Sequence, residues 1–522
     1  MAPAILTPDF GPAPSAELER RVFDVCIVGS GASGAVAADE LARAGLDVVV
    51  LEQGPFVGPE TRFADVVHWA EPAYVRVFSG CFALQGNPWS SCNVGGGTVF
   101  YGGASFRYRE VDFDASRFVP SADLPVAWPF SYAELEPFYG EVEQRLGVAA
   151  DPALDPTLPP APSAHYLPPV APSAAGAALH AAARSRGLHP FPTPLAINSV
   201  PYAGRAECAK QNPCIEHRCS RFAKGDVETV YLRPLLAEGR LSLFAGVRAM
   251  RLVRSERDRV SELVALHVGS GSLHRVRARV FVLAANAIQS AALLLRSADD
   301  ASPSGLGNDT DMVGRGLCFK ISEWVDGFLD DAEPSDNDGP FSTFALTDHY
   351  LDAAAPSGLG GLIYEARYGH RFGVQRGLPV RIECILADHP ARDNRVYLSK
   401  ELDRHGAPRI VMDYTPHPLD LARLEHMVER CRELLGSAGA GLVRREGKVP
   451  HFGGTHLHGG CRAGTDRATS VVDPWGRVHD LDNVYVIDGG FMPYPGGVNP
   501  TLTIQANALR AARALKRQLT RA

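Results

Sequence analysis

The 522-residue chain carries 52 Lys and Arg against 59 Asp and Glu, a net charge of -7 without a basic cluster, which argues against nucleic acid or anionic lipid as partners and points to small ligands. Its length exceeds one usual domain, so two structural units sharing an interface are expected. No stretch reaches the roughly 18 apolar residues of a spanning helix, the proline-broken start "MAPAILTPDFGPAPSAELERRVFDV" does not read as a signal peptide, and the scattered cysteines, such as Cys26, Cys318, Cys384 and Cys431, read as buried thiols of a cytoplasmic protein.

The first strong pattern is "FDVCIVGSGASGAVAADELARAGLDVVVLEQG". Residues 23–28 form a Val- and Ile-rich run suited to a strand covered on both faces. A helix follows, with Val36, Ala37, Leu41 and Ala42 on one side and Gly45 as its stop, and "DVVVLE" is a second buried strand. Gly29 permits the tight turn, Gly31 lets the backbone approach a pyrophosphate at the helix N-terminus, and Gly34 lets helix and strand pack closely. Glu52 ends the second strand, where a carboxylate accepts from an adenosine ribose.

A second glycine-rich run, "NVGGGTVFYGGASFR" at 93–107, offers backbone able to lie against a flat ring. The Pro-rich "DPALDPTLPPAPSAHYLPPVAPSAAG" reads as an extended surface segment or lid. Further on, "PVRIECILADHP" and "RIVMDYTP" read as strands joined by loops, and "HFGGTHLHGGC" at 451–461 packs three histidines and a cysteine among glycines. After it come a strand around "VYVID", a loop, and a helix opening with Asn499 and Pro500, residue types favoured at N-cap and N1. Zinc ligation by His451, His456, His458 and Cys461 is the alternative reading of that glycine block, but its spacing matches no usual structural zinc pattern.

These blocks together resemble the glucose-methanol-choline (GMC) oxidoreductases, FAD enzymes that oxidise alcohols. The similarity runs from about residue 22 to the end through Gly29, Gly31, Gly34 and Glu52, "GGGTVFYGGA", "VRARVFVLAANAIQSAALLLRS", "GLGNDTDMVGRGL", "DNRVYLS" and the C-terminal block. It implies an α/β fold with a Rossmann-like FAD-binding domain assembled from discontinuous segments, and an α+β substrate domain with an antiparallel sheet and helices. The chain divides accordingly into an extension (1–21), FAD-binding stretches at 22–110, 206–318 and 451–522, and substrate stretches at 111–205 and 319–450.

The resemblance also implies a catalytic pair. Oxidising an alcohol needs a base over the ring to take the hydroxyl proton as hydride leaves for the flavin N5. In similar enzymes the base lies five residues before the Cys or His that opens the last part of this block; with Cys461 in that place, it is His456. The partner at the start of the last helix is Asn499, whose amide can hold the developing alkoxide without competing for the proton. Cofactor contacts are expected from Gly29, Gly31, Gly34, Glu52, Gly96, Gly97, Thr98, Tyr101, Gly102, Gly103, Val247, Asp488, Gly489, Asn499, Pro500 and Thr501.

Two departures from the family follow. Where some members attach FAD covalently through a His, this chain has Phe100, so non-covalent FAD is expected. "CAKQNPCIEHRC" resembles the stretch of bacterial glucose and fructose dehydrogenase catalytic subunits that holds a three-iron cluster, with Cys208, Cys214 and Cys219 as ligands, but its second spacing is one residue longer and the usual following proline is Ser220. A 3Fe-4S cluster, ordinary thiols and a disulfide all stay open here. The similarity of "GGVNPTLT" to sugar-oxidising members points to a sugar, polyol or glycoside alcohol, with oxygen, a quinone or a redox protein as electron acceptor. An NAD-dependent dehydrogenase would leave the C-terminal block without a role, and a flavin or iron-sulfur electron carrier would leave His456 and Asn499 without one.

Overall fold

The computed structural model describes residues 8–14, 16–59, 61–71, 73–77, 80–84, 89–119, 123–210, 214–329, 339–367, 377–445 and 456–521. Its central sheet is built on the strand Val22–Val28, whose Val25, Cys26 and Ile27 are fully buried. Parallel neighbours lie on both sides: Val48–Glu52 and then Ser242–Ala245 on one, Leu273–Leu283 and then Val484–Val486 on the other. Five parallel strands thus come from four distant parts of the chain. The 11-residue strand Leu273–Leu283 has two uses. Its first half pairs antiparallel with Arg259–His267, which pairs with Val247–Glu256, while its second half pairs with Val484–Val486.

Burial on both faces explains the apolar runs of these strands. The helix Ala32–Ala42 covers one side and packs against the last helix, Thr501–Arg521, which also receives the helix Tyr132–Leu146. In that second contact the Tyr139 hydroxyl lies 2.8 Å from that of Thr503. Arg107 anchors Tyr132–Leu146 from within, donating to Glu143 at 2.7 and 2.6 Å and to Glu136 at 2.9 Å in a buried, bidentate arrangement.

The second sheet is antiparallel, in the order Ala345–Leu346, Leu362–Glu365, Leu378–Leu386, Ile321–Leu329, Gly441–Arg445. Strand alternation sends Ile321, Val325, Ile382 and Cys384 to one face, where Leu424, Met427 and Cys431 of the helix Pro418–Ser437 and Leu179 of the helix Ala174–Ser185 complete a separate core. Trp324, Asp326, Arg381 and Glu383 take the opposite face, with Arg381 donating twice to Asp326 at 2.7 and 2.9 Å and Tyr364 donating to Glu383 at 2.8 Å. A third sheet joins Arg395–Leu402 and Pro408–Asp413 to Ala73–Val77 and Gly80–Leu84, stretches that lie more than 300 residues apart in sequence.

The Pro-rich stretch lies over the surface but is pinned. Asp155 accepts from Arg109 at 2.6 Å and from Thr347 at 2.9 Å, and Ser163 donates to Glu136. Cys26, Cys318, Cys384 and Cys431 are buried free thiols. Among the described residues no helix is long and apolar enough to cross a membrane.

Candidate active site

A long cavity runs across the ends of the parallel strands, where ligands bind in open α/β sheets. At one end Glu52 lies beside Val247, Arg248 and Ala249; in the middle Gly31 and Ala32 face Gly96; at the other end stand Tyr101, His456, Leu457, Gly489, Pro500 and Thr501.

The three fingerprint glycines do different things. Gly29 has φ +96°, and a Cβ there would lie 2.5 Å from the Ala284 carbonyl oxygen. Gly34 faces inward, where a Cβ would lie 2.0 Å from the Gly29 oxygen, so it sets how closely helix and strand approach and does not line the cavity. Gly31 has ordinary φ (-73°) and open space before it, with only the Gly96 Cα at 4.0 Å. That space lies over the first turn of Ala32–Ala42, whose leading N–H groups have no partner within the helix, the kind of place that suits a diphosphate.

Glu52 is buried and already engaged: it accepts from the Ser30 N–H (3.0 Å), the Ser30 hydroxyl (2.8 Å) and the Gly54 N–H (2.9 Å). Burial pushes its carboxyl up, against the pull of those hydrogen bonds. Ser30 in turn accepts from the Gly95 N–H at 3.0 Å, so Glu52 also ties the first glycine turn to the second glycine run.

Of that second run, Gly96, Gly97, Thr98 and Tyr101 line the cavity. Gly102 and Gly103 instead pack on protein, Gly102 against the Phe341 ring and Gly103 against Ile197. Phe100 is fully buried among Phe63, Val66, Trp69 and Val99, away from the cavity wall. Across the cavity, Asp488 accepts from the Gly490 N–H at 2.8 Å and from the Ser290 hydroxyl, and burial pushes its carboxyl up to about 6.

At the far end the Asn499 amide nitrogen lies 3.4 Å from His456 Nε2. Asn499 is 7% exposed, and its Oδ1 has no hydrogen-bond partner among the described residues. The helix opens one residue later than the sequence predicts, at Thr501, with the Pro500 carbonyl accepting from the Ile504 N–H at 2.9 Å. Asn499 therefore does not cap the helix: the peptide passes through Pro500 first, and the amide turns away to the histidine.

His458 points elsewhere. Its Nδ1 donates to the His456 carbonyl at 3.1 Å, its Nε2 lies 3.5 Å from the Tyr108 hydroxyl, and burial, with Lys320 and His456 nearby, holds its pKa well below the ordinary histidine value. A carbonyl only accepts, so the proton of this neutral ring sits on Nδ1. His451 lies outside the described residues.

Sequence reasoning passed over several cavity residues. Asn286 caps the helix Ala287–Arg296 through its side chain (3.0 Å to the Ile288 N–H), an Asn-before-helix signal that was there to find. Trp89, Gln289, Arg248 and Arg296 also line the cavity, brought there by tertiary packing alone. Burial beside Arg248 lowers the Arg296 guanidinium to about 10.

A 3Fe-4S cluster at Cys208, Cys214 and Cys219, one of the three alternatives the sequence leaves open, finds no support in the structure. Among the described residues no group of three or more His, Cys, Asp or Glu could hold a metal ion, and each of the three cysteines is a free thiol. The loop folds instead around the Lys224 ammonium, which donates to the carbonyls of Tyr101, Cys214 and His217 at 3.0, 3.2 and 2.8 Å. A cation already takes up that interior.

Residues 168–321 and 390–508 match family models described as GMC oxidoreductase, and residues 27–77 match an NAD(P)-binding Rossmann-like domain. The 6'''-hydroxyparomomycin C oxidase of Streptomyces lividus is 51% identical over 96% of this chain and 92% of its own length. The chain belongs to the GMC oxidoreductase family. Paromamine 6'-oxidase of Streptomyces fradiae is 49% identical over 95% of this chain and 91% of its own length. Among solved structures, Aspergillus oryzae formate oxidase shares the fold at a TM-score of 0.70 with 15% identity, over 96% of this chain and 99% of that one. GMC membership makes the chain an oxidoreductase acting on alcohol groups, and together with the Rossmann-like domain it implies FAD. The cavity fits that group: it offers an open helix N-terminus at Gly31 and a flat glycine wall at Gly96 and Gly97, while Asn499, expected among the cofactor contacts, does not line it and stands behind His456, its buried Oδ1 without a partner among the described residues.

Proposed function

We propose that this GMC oxidoreductase oxidises a primary alcohol of an amino sugar to the aldehyde, with FAD held without a covalent bond and oxygen as electron acceptor. The observation that carries the reading is the His456–Asn499 pair, 3.4 Å apart at the end of a cavity that the fingerprint glycines open. The two relatives, named 6'''-hydroxyparomomycin C oxidase and paromamine 6'-oxidase, support the substrate class and the choice of oxygen as acceptor.

Bound FAD supplies the acceptor for the hydride that leaves the alcohol carbon. The first turn of Ala32–Ala42 binds its diphosphate, Glu52 and Val247 the adenosine end, and Gly96, Gly97, Thr98, Tyr101, Asp488, Gly489, Pro500 and Thr501 line the remaining path. Phe100 cannot form a bond to a flavin and is packed in a separate cluster, which supports non-covalent binding.

His456 Nε2 takes the hydroxyl proton as the carbon loses hydride, so the substrate leaves as an aldehyde and no charged alkoxide accumulates. The Asn499 Nδ2–H, which points at His456 in the absence of substrate, donates to the substrate oxygen, while its unpaired Oδ1 accepts from a second polar group of the bound molecule. His458 stays neutral and holds the His456 backbone.

The test is anaerobic rapid mixing of the purified flavoprotein with paromamine, followed in air by assays for aldehyde and hydrogen peroxide. Bleaching of the flavin and one peroxide per aldehyde are expected. A flavin that stays oxidised with paromamine and with other amino sugars bearing a primary alcohol would overturn the substrate class, and aldehyde formed only with an added quinone would overturn the acceptor.

A further inference from the structure

Lys320 stands just before the strand Ile321–Leu329, with φ +64°, a conformation that non-glycine residues seldom adopt. Two hydrogen bonds fix it there: the N–H groups of Phe319 and Lys320 donate to the two oxygens of Asp388, both at 2.9 Å. Its fully buried ammonium points into the loop before the last helix and donates to the carbonyls of Pro495 (2.5 Å), Gly496 (2.6 Å) and Val498 (2.6 Å). Burial lowers the pKa of the Lys320 ammonium to about 7, and in its charged form all three protons are spent on one short loop.

The same loop is gripped from other sides. The Tyr108 hydroxyl donates to the Pro495 carbonyl, and the Gly497 N–H donates to the Tyr350 hydroxyl at 2.8 Å and lies 3.3 Å from Asp112. No regular structure satisfies the backbone of 495–498, and side chains from three distant segments do so instead.

The Val498 carbonyl and the Asn499 nitrogen belong to one rigid peptide plane, so a proton on that carbonyl sets the direction in which Asn499 leaves the loop. The His456 carbonyl is held by His458, whose Nε2 faces Tyr108, and the Lys320 ammonium lies 5.1 Å from the centre of the Tyr108 ring. Both members of the pair are thus held through their backbones by one buried group of side chains.

We propose that Lys320 is a positioning residue that fixes the 495–498 loop so that the Asn499 amide meets His456 and the substrate oxygen. This rests on the reading of His456 and Asn499 as the reacting pair. Lys320 is not among the residues that line the cavity; it acts through the peptide plane. A misplacement of about 1 Å at a reacting group costs on the order of 100-fold in rate, which sets the expected size of the effect.

The test compares Lys320→Met with wild type, both loaded with FAD. One measurement is hydrogen–deuterium exchange in a peptide covering 493–505, with a peptide covering 22–52 as internal reference. The other is the limiting rate of flavin reduction in rapid mixing, with paromamine as the probe. The variant should exchange at least about tenfold faster at 496–499 with the reference peptide unchanged, and its limiting rate should fall about 100-fold with a half-saturating concentration within a few-fold of wild type.

Wild-type exchange in that peptide, or exchange that rises equally in the reference peptide, would overturn the proposal, the second because it marks a general loss of stability. Lys320→Gln, judged by the same criteria, decides the matter if the Met variant does not fold. His456→Ala, run alongside, should slow reduction without altering exchange. If it reduces at the wild-type rate, the catalytic pair is wrong, and exchange in the Lys320 variants still judges the clamp. A wild-type flavin that paromamine does not bleach counts against the substrate class and likewise leaves the clamp to the exchange data.

Discussion

At the scale of single residues, two histidines two positions apart have opposite surroundings. His456 stands at the cavity end against Asn499, whereas His458 is fully buried and spends its proton on the His456 carbonyl. His456→Ala should leave FAD bound and lower flavin reduction about 100- to 10,000-fold, the usual worth of a general base, as read by bleaching in rapid mixing, where a slow acceptor cannot hide the chemical step. Asn499→Ala should slow the same step and weaken substrate binding. His458→Ala should slow it less and lower the melting temperature, because that buried ring holds the His456 backbone and takes no part in proton transfer. Asp488 makes a separate prediction. Its carboxyl rises from 3.8 to about 6 on folding, so its contribution to stability is fully present below about 4 and is lost as pH rises through 6, a change worth roughly 3 kcal/mol. Asp488→Asn should therefore flatten the pH dependence of apoprotein melting between pH 4 and 6. The sequence identified His456, Asn499 and Asp488 as positions to examine, but it could not tell that Asn499 leaves the helix uncapped, since an Asn-Pro start looks the same whichever way the amide points.

At the scale of elements, the strand–turn–helix unit around Gly29, Gly31 and Gly34 was readable in full, because both strands are covered on each face and the glycine spacing is local. The structure adds that the three positions have different tolerances. Gly31→Ala meets no atom closer than 4.0 Å and keeps an ordinary φ, so the apoprotein should melt as wild type does while FAD titration shows weakened binding, the methyl group lying where the diphosphate goes. Gly34→Ala brings a Cβ to 2.0 Å from a backbone oxygen, so helix and strand must separate and the melting temperature of the apoprotein should itself fall. Equal loss of FAD affinity with equal loss of stability in both variants would contradict this division. The cysteine loop stayed open between a cluster, thiols and a disulfide for a related reason: ligand spacing is visible in sequence, but the Lys224 ammonium that organises the loop lies five residues past Cys219 and carries no motif.

At the scale of the whole molecule, one cavity draws its walls from residues between Val28 and Ile504, so FAD should act as a clamp on the entire chain. Adding FAD to apoprotein at a hundredfold excess over Kd should raise stability by about 2.7 kcal/mol, read as a higher melting temperature, and acid precipitation should release the flavin into the supernatant. Colour retained in the pellet would contradict the non-covalent reading. The α/β class was legible because the parallel strands run apolar over short windows, whereas the antiparallel sheet was expected only from the family resemblance, and of the two stretches read as its strands, 409–416 lies in the third sheet. The third sheet was not legible, since pairing Ala73–Val77 with Pro408–Asp413 depends on contacts more than 300 residues apart that no local window contains. The strand Leu273–Leu283 shows what such wiring costs in time. One edge of its second half pairs with Val22–Val28, while among the described residues the other is covered by Val484–Val486, which a ribosome adding about 5 to 20 residues per second delivers some 10 to 40 s later. During that interval the nascent chain presents an unpaired, apolar parallel edge, the kind of surface that recruits other chains. Yield in a heterologous host should therefore respond to chaperone supply and slower, cooler expression more than to any substitution on the finished surface.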